Sequence, residues 1–259
     1  MSLLEVNHVS VSFGGLMALR DITFTVDEGS IFACIGPNGA GKSTIYNCIN
    51  GFVNPDGGEI RLSGKELTRL APHKIAELGI TRTFQNLELF PFKSALDNIL
   101  MGLHLKINTG FLSSSLYFGK NRQAEDAAED EVLEVMNFLG IRFCKDLPAG
   151  SLPFVTRRMV EVARALVSKP KLMLLDEPSS GMNEQETREL GKIIKAIRED
   201  YGTTIILVEH DMSLVMEISD KIMVLNFGEK LAEGTSKEIK SNKEVQEAFL
   251  GKDYHAAAG

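Results

Sequence analysis

The first chemistry that this sequence suggests is phosphate binding, at residues 36–44. That stretch consists of Gly36, Pro37, Asn38, Gly39, Ala40, Gly41, Lys42, Ser43 and Thr44. Glycines let successive backbone N–H groups curl around an anion, and the N-terminus of a following helix adds partial positive charge. In loops with this spacing the lysine reaches the β- and γ-phosphates, and the serine hydroxyl is a Mg²⁺ ligand. The alternative is a glycine-rich turn with an incidental lysine. The match is complete, so we expect this loop to bind a nucleoside triphosphate.

A second candidate site is the pair of acids that ends the apolar run 172–175. Asp176 and Glu177 follow directly after this predicted buried strand. In a phosphate-loop ATPase an acid at this position holds the Mg²⁺ shell, and a neighbouring carboxylate polarises the attacking water. A strand that ends in acids is a weak pattern alone, but the upstream phosphate loop strengthens it. We therefore predict that Asp176 binds metal and Glu177 acts on water.

A histidine follows another predicted apolar strand, residues 203–208. His210 comes between Glu209 and Asp211. A single histidine is most often a satisfied polar residue. In an open parallel sheet, however, ligands bind beyond the carboxyl ends of the strands. His210 is then expected on the same side as the phosphate loop, where it can contact the γ-phosphate.

Two apolar features each fit two interpretations. Phe13 lies on a turn between predicted strands at 3–11 and 22–26, where it is either a hydrophobic plug or a ring that stacks on adenine. Residues 86–92 are apolar for a loop, so they form either a core segment or an exposed cleft that receives a helix of a partner.

These candidate residues need a parallel sheet with helices to position them. Apolar runs predict strands at 31–35, 172–175 and 203–208, and residues 43–50, 72–77 and 184–199 read as helices. Residues 94–165 show no strand pattern, with predicted helices at 94–105 and 122–138, and a further helix is predicted at 151–167. A hairpin is expected at 222–233 and one closing helix at 237–250. The fold class is therefore α/β.

Composition limits the classes of function. The 259 residues suit one large domain, and the net charge of −7 argues against a general binder of nucleic acid. Cys34, Cys48 and Cys144 lack metal-ligand spacing and suit buried thiols in a reducing compartment. No signal-peptide pattern or membrane-spanning apolar stretch is found. Work at a membrane would then require docking on another chain.

Taken together, the chain resembles the ATPase subunit of ABC transporters over nearly its whole length. This resemblance implies a P-loop NTPase ABC ATPase core with an antiparallel β subdomain and an inserted α-helical subdomain. It implies a single domain over 1–259. Residues 1–85 and 166–235 would form the nucleotide-binding core, 86–165 the helical subdomain, and 236–259 a C-terminal helix and tail.

The resemblance also implies roles for individual residues. Residues 36–44 look like the Walker A loop and 172–177 like Walker B, with Glu177 as catalytic glutamate and His210 as switch histidine. Gln85 matches the Q-loop glutamine, which senses the metal and the lytic water, so the implied Mg²⁺ ligands are Ser43, Gln85 and Asp176. Phe13 falls where the family stacks adenine. The D-loop positions are Ser180, Gly181 and Asn183, the last of which is aspartate in many relatives.

The finer resemblance is to importers of branched-chain or other hydrophobic amino acids. Phe13 to Leu19, Arg82 to Asn86 and Leu225 to Lys230 are similar to that subfamily, and the connection at 106–130 is similar to the longer of its two paired ATPases. The implied partners are a second ABC ATPase, membrane permeases that dock near residues 85–92, and indirectly a periplasmic or extracellular substrate-binding protein. The implied location is the cytoplasmic face of the inner or plasma membrane, with the isolated chain soluble.

One motif departs from the family. The signature Leu-Ser-Gly-Gly-Gln, which faces ATP bound to the opposite subunit, aligns with Leu152, Pro153, Phe154, Val155 and Thr156. Glycine at the fourth position lets backbone N–H groups approach phosphate closely, whereas the β-branched Val155 adds bulk. We therefore expect asymmetric hydrolysis in a heterodimer, mainly at this chain's own phosphate loop.

Other functions remain open at this point. The transported solute could be an amide or urea. The chain could also be a non-transport ABC ATPase acting on DNA or ribosomes, which is disfavoured by its acidic charge and lack of long coiled-coil insertions. A regulatory subunit that hydrolyses little ATP is suggested by Val155 and opposed by the intact Glu177 and His210.

Overall fold

The computed structural model describes residues 1–83, 88–103 and 120–249. Its described strands form two sheets. None of its described helices is both long and apolar enough to cross a bilayer.

The first sheet is antiparallel and carries Phe13 on one of its turns. Its strands are β1 (Ser2–Phe13), β2 (Leu16–Asp27), β4 (Gly57–Leu62) and β5 (Lys65–Glu66), in the order β2-β1-β4-β5. β1 and β2 are both longer than predicted. The alternation of buried and exposed residues shifts where the pairing is irregular, next to His8 and Asp21, which have positive φ angles of 52°. Because a bulge interrupts the alternation of buried and exposed residues, a period-2 pattern does not show that each strand is continuous.

The second sheet holds the phosphate loop. It contains β3 (Ile31–Ile35), β6 (Ile80–Arg82), β7 (Leu172–Asp176), β8 (Thr204–Val208), β9 (Lys221–Asn226) and β10 (Glu229–Gly234). The order is β10-β9-β3-β8-β7-β6, with only β10 antiparallel to its neighbour. Every residue of β3, β7 and β8 is buried, as expected for strands covered on both faces.

Helices cover this sheet and form the block between β6 and β7. The described α-helices are α1 (Lys42–Ile49), α2 (Pro72–Glu77), α3 (Ala95–Leu100), α4 (Lys120–Phe138), α5 (Phe154–Leu166), α6 (Glu184–Tyr201), α7 (Met212–Ile218), α8 (Ser236–Ser241) and α9 (Lys243–Phe249). In the described part of 94–165, the helices are joined by turns and one isolated β-bridge, between Ser94 and Pro148. The buried hydrophobic residues of α3, α4 and α5 belong to one cluster with one face of the parallel sheet.

Three predicted helix boundaries are corrected. The helix predicted at 94–105 ends at Leu100 and continues as a 3₁₀ turn, Met101–Leu103. The helix predicted to begin at 151 begins at Phe154, because Pro153 has extended backbone and is the N-cap. The prediction of a single closing helix at 237–250 was wrong. Two helices, α8 and α9, are separated by Asn242, whose side-chain oxygen accepts the N–H groups of Glu244 and Val245. Such a cap starts a new helix rather than continuing the old one.

Candidate nucleotide site

The phosphate loop connects β3 to α1 and turns around its lysine. The Lys42 ammonium is buried and donates to the carbonyl oxygens of Gly36, at 2.6 Å, and Pro37, at 3.0 Å. Burial lowers the pKa of Lys42, an effect opposed by Cys34, Glu177 and Asp176. The cation is thus held over the loop, at the carboxyl ends of the buried strands.

Gly36 and Gly41 of the loop are required by their neighbours in the fold. A Cβ atom at Gly36 would lie 2.2 Å from the carbonyl oxygen of Leu225, and one at Gly41 would lie 2.8 Å from that of Ala18. The loop is further held by Gly228, whose N–H donates to Ala40 at 3.1 Å. The loop is therefore wedged between β2 and the β9–β10 hairpin.

The residues predicted for hydrolysis meet at the ends of β7 and β8. Glu177 follows β7 and its Oε1 lies 2.7 Å from Nε2 of His210, which follows β8. Glu177 has a left-handed φ of 47°, which is uncommon for a residue with a side chain and is often found at functional sites. The parallel register of β3, β7 and β8 brings this pair to the edge of the sheet where the phosphate loop lies.

The predicted metal ligands are placed in part. Ser43 is exposed in the first turn of α1, and Asp176 is buried at the end of β7. Gln85 lies outside the described residues. No cluster of three His, Cys, Asp or Glu side chains that could hold a metal is found in the described ranges. A hydroxyl and a carboxylate are nevertheless the hard oxygen donors that Mg²⁺ takes together with substrate phosphates, so these residues fit the ion.

Sequence reasoning missed a buried carboxylate next to the histidine. Glu209 is only 2% exposed; its Oε1 accepts the N–H of Ser179 at 2.7 Å and its Oε2 accepts the N–H of His210 at 3.0 Å. It thereby ties the segment after Glu177 to the segment that carries His210. The signal in the sequence was an acid directly after an apolar strand, the same pattern that singled out Asp176.

The aromatic residue proposed to contact the base is accessible. Phe13 ends β1 at the turn to β2 and its side chain is 51% exposed. A hydrophobic plug would be buried, so the exposure favours the stacking interpretation. The contact with adenine stays a prediction.

The predicted signature segment forms the start of α5. Leu152 is buried, Pro153 is the N-cap, and Phe154, Val155 and Thr156 make the first helical turn. No side chain caps this helix end.

The predicted D-loop lies beside this segment. A Cβ atom at Gly181 would be 3.3 Å from the ring of Phe154, and Ser180 is exposed. Asn183 is the N-cap of α6, with its side-chain oxygen accepting from Gln185 and Glu186. The aspartate-to-asparagine departure therefore keeps a residue that caps helices well.

The apolar loop predicted at 86–92 is described from Glu88 onward. Phe92 is 96% exposed and Phe90 is half exposed, whereas Leu89 packs against the core. The buried side chain of Asn98 accepts from the N–H of Phe90 and donates to its carbonyl oxygen. The hydrogen bonds from Asn98 thus hold the backbone of the loop, while the rings of Phe90 and Phe92 remain exposed on the surface.

Comparison with known proteins defines the class to which this site belongs. A family described as ABC transporter matches residues 19–180, which is more than half of the chain. The chain therefore belongs to the ABC transporter family and is an ATPase of that family. A family described as Branched-chain amino acid ATP-binding cassette transporter matches residues 229–255.

Individual relatives place the chain in the branched-chain amino acid group of this family. It is 40% identical to the high-affinity branched-chain amino acid transport ATP-binding protein BraF of Pseudomonas aeruginosa, over 96% of this chain and 98% of the relative. It is 40% identical, over the same shares, to the corresponding protein LivG of Escherichia coli. The fold matches the ADP conformation of MJ1267, an ATP-binding cassette of an ABC transporter. That match has a TM-score of 0.84 and 27% identity, and it covers 97% of this chain and all of the other.

Proposed function

We propose that this chain binds and hydrolyses ATP with Mg²⁺ to power an importer of branched-chain or other hydrophobic amino acids. The observation that carries the proposal is the contact of Glu177 with His210 at the edge where the loop around Lys42 lies. The similarity to BraF and LivG, which extends over 96% of the chain, supports the substrate class.

In this proposal the chain contributes mainly positioning and charge, as in phosphoryl transfer generally. Lys42 and the loop amides would hold the phosphates, Phe13 would stack on adenine, and Ser43, Gln85 and Asp176 would hold the metal. Bound Mg²⁺ would neutralise charge on the phosphates. Glu177 orients the attacking water and accepts its proton, and His210 fixes the carboxylate of Glu177 and contacts the γ-phosphate.

The proposed partners are a second ABC ATPase, permeases and, indirectly, a substrate-binding protein outside the membrane. The exposed rings of Phe90 and Phe92 provide an apolar surface for a cytoplasmic helix of a permease. Such docking would place the chain at the cytoplasmic face of the membrane.

Hydrolysis in the assembled pair is proposed to be asymmetric. Val155 stands in the first turn of α5, where the signature glycine would let amides approach the partner's ATP. The β-branched side chain obstructs that approach, while Glu177 and His210 retain their contact in this chain's own site. The partner's signature would complete this site.

An uptake experiment tests the proposed substrate class. In cells deleted for this chain, uptake of labelled leucine should be lost and should return with the wild-type gene but not with Glu177→Gln. Glu199→Gln, at an exposed surface carboxylate, is the matched control and should restore uptake. Unchanged leucine uptake with lost urea or amide uptake would contradict the substrate, and unchanged uptake of all three would favour a non-transport ATPase.

Hydrolysis by the purified chain alone tests the asymmetry. We expect wild type to be nearly inactive and Val155→Gly to gain turnover, because glycine restores access of the backbone amides to phosphate. If wild type hydrolyses ATP well and glycine changes little, residues 152–156 form a working signature and the cycle is symmetric. If neither variant hydrolyses ATP in the assembled complex, a regulatory subunit is the better description.

A further inference from the structure

Arg82 lies at the centre of the elements that would supply the metal ligands, and neither its position in the sequence nor the family comparison assigns it a role. It is the last residue of β6, and its Nη2 lies 2.7 Å from Oδ2 of Asp176 at the end of β7. Its Nη1 donates to Oδ1 of Asn47 in α1, also at 2.7 Å. Both side chains of the ion pair are about nine-tenths buried.

These contacts connect the two described metal ligands. Ser43 and Asn47 are one turn apart in α1, so they share a face of that helix. By holding Asn47 and Asp176 at once, the guanidinium sets the separation between the helix face that carries Ser43 and the carboxylate of Asp176.

The neighbourhood of Arg82 fixes the guanidinium itself. Its carbon lies 5.5 Å from the ring centroid of Tyr46. The buried hydroxyl of Tyr46 donates to the carbonyl oxygen of Ile206, at 2.8 Å, and also lies 3.2 Å from that of Leu175. Thr83, the next residue, lies in hydrogen-bond contact with the backbone of Asp176 and Leu174. Contacts with α1, with β7 and with the ring of Tyr46 therefore restrict rotation of the guanidinium.

We propose that Arg82 is a positioning residue for magnesium: it orients the Asp176 carboxylate and holds α1 in register with it. This inference rests on the proposed ATP·Mg²⁺ function. Outer-shell partners of metal ligands orient them, and their loss commonly weakens metal binding by about 10–100-fold. A guanidinium suits this task because its rigid fork addresses two acceptors, whereas an ammonium is a single point.

The test is the magnesium dependence of nucleotide binding by the full chain. Binding of a fluorescent ATP analogue is titrated in EDTA and at increasing Mg²⁺ for wild type and Arg82→Lys. We expect metal-free affinity to change little and the Mg²⁺ concentration for half-maximal effect to rise by about tenfold or more. A general loss of stability would weaken nucleotide binding both with and without Mg²⁺, so it would not raise the Mg²⁺ requirement while leaving metal-free affinity unchanged.

Two further variants make the result decisive. Arg158→Lys is the matched control, because it alters another buried ion pair, with Glu161, away from the predicted metal ligands; its Mg²⁺ requirement should equal that of wild type. Asn47→Ala removes only the α1 contact and leaves no buried charge unpaired, so it should raise the Mg²⁺ requirement even if Arg82→Lys fails to fold.

An unchanged Mg²⁺ requirement in every folded variant of Arg82 and Asn47 would overturn the inference. Equal losses of affinity in EDTA and in Mg²⁺ would also overturn it, since they would indicate a purely structural role. A wild-type chain that bound no nucleotide at all would instead refute the proposed function, and the two failures are thus distinguishable.

Discussion

The buried carboxylate of Glu209 provides a sharp test of how the residues proposed for hydrolysis are held. Its two oxygens accept different N–H groups, those of Ser179 and His210. Glu209→Gln keeps the shape of the side chain but replaces one of its two oxygens with an NH₂ group. One of the two backbone N–H groups then faces another donor and loses its hydrogen bond. Leaving a buried donor unpaired costs about 1–3 kcal/mol of unfolding free energy. For a chain of this size the melting temperature should fall by about 2–4 °C for each kcal/mol.

The same substitution should affect catalysis more than stability. If the segment bearing His210 moves, its contact with Glu177 is lost, and a displacement of about 1 Å can lower turnover by about 100-fold. Thermal denaturation and ATP hydrolysis by the assembled complex measure the two effects, and faster amide exchange at Ser179 or His210 would locate the change.

The matched control for this prediction is Glu199→Gln. Glu199 is an exposed carboxylate paired with Arg198, so this change should alter stability by less than about 0.5 kcal/mol and leave turnover intact. If Glu209→Gln behaved in the same way as this control, the positioning role of Glu209 would be refuted.

Two other predictions follow from exposure and burial. Phe13→Ala should weaken ATP binding by about 1–3 kcal/mol through lost stacking, as measured by fluorescence titration, whereas the exposed Phe143→Ala in the helical block should have no effect; equal effects would exclude the stacking role. Burial raises the pKa of the Cys34 and Cys48 thiols from 9.0 to about 12. The unfolded chain therefore releases these protons above pH 9 while the folded chain keeps them. Stability measured by urea unfolding should fall as pH rises from 9 to 12, and the fall should be shallower after Cys34→Ala and Cys48→Ala.

Much of the site could be predicted from local sequence because its elements are local. The phosphate loop, the acids after β7 and the histidine after β8 each depend on a short run of residue types next to a buried strand. Parallel strands place their carboxyl ends at one edge, so Glu177 and His210 were expected on the same side of the sheet as the phosphate loop. The adjacency of β7 and β8, which brings the two side chains into contact, was visible only in the structure. The comparisons confirm the ABC ATPase family and its branched-chain amino acid group.

Other features were decided by contacts between distant parts of the chain. The bond from Arg82 to Asp176 spans 94 residues, and that from Ser179 to Glu209 spans 30, so no short pattern contains both partners. The strand bulges and the division between α8 and α9 were missed because local backbone geometry overrode the hydrophobic period. Residue types and spacing thus determined which groups could do chemistry. Packing of α1, β6 and β7 against one another decided which polar side chains hold those groups in place, because a buried charge or N–H group must find its partner wherever the fold brings one.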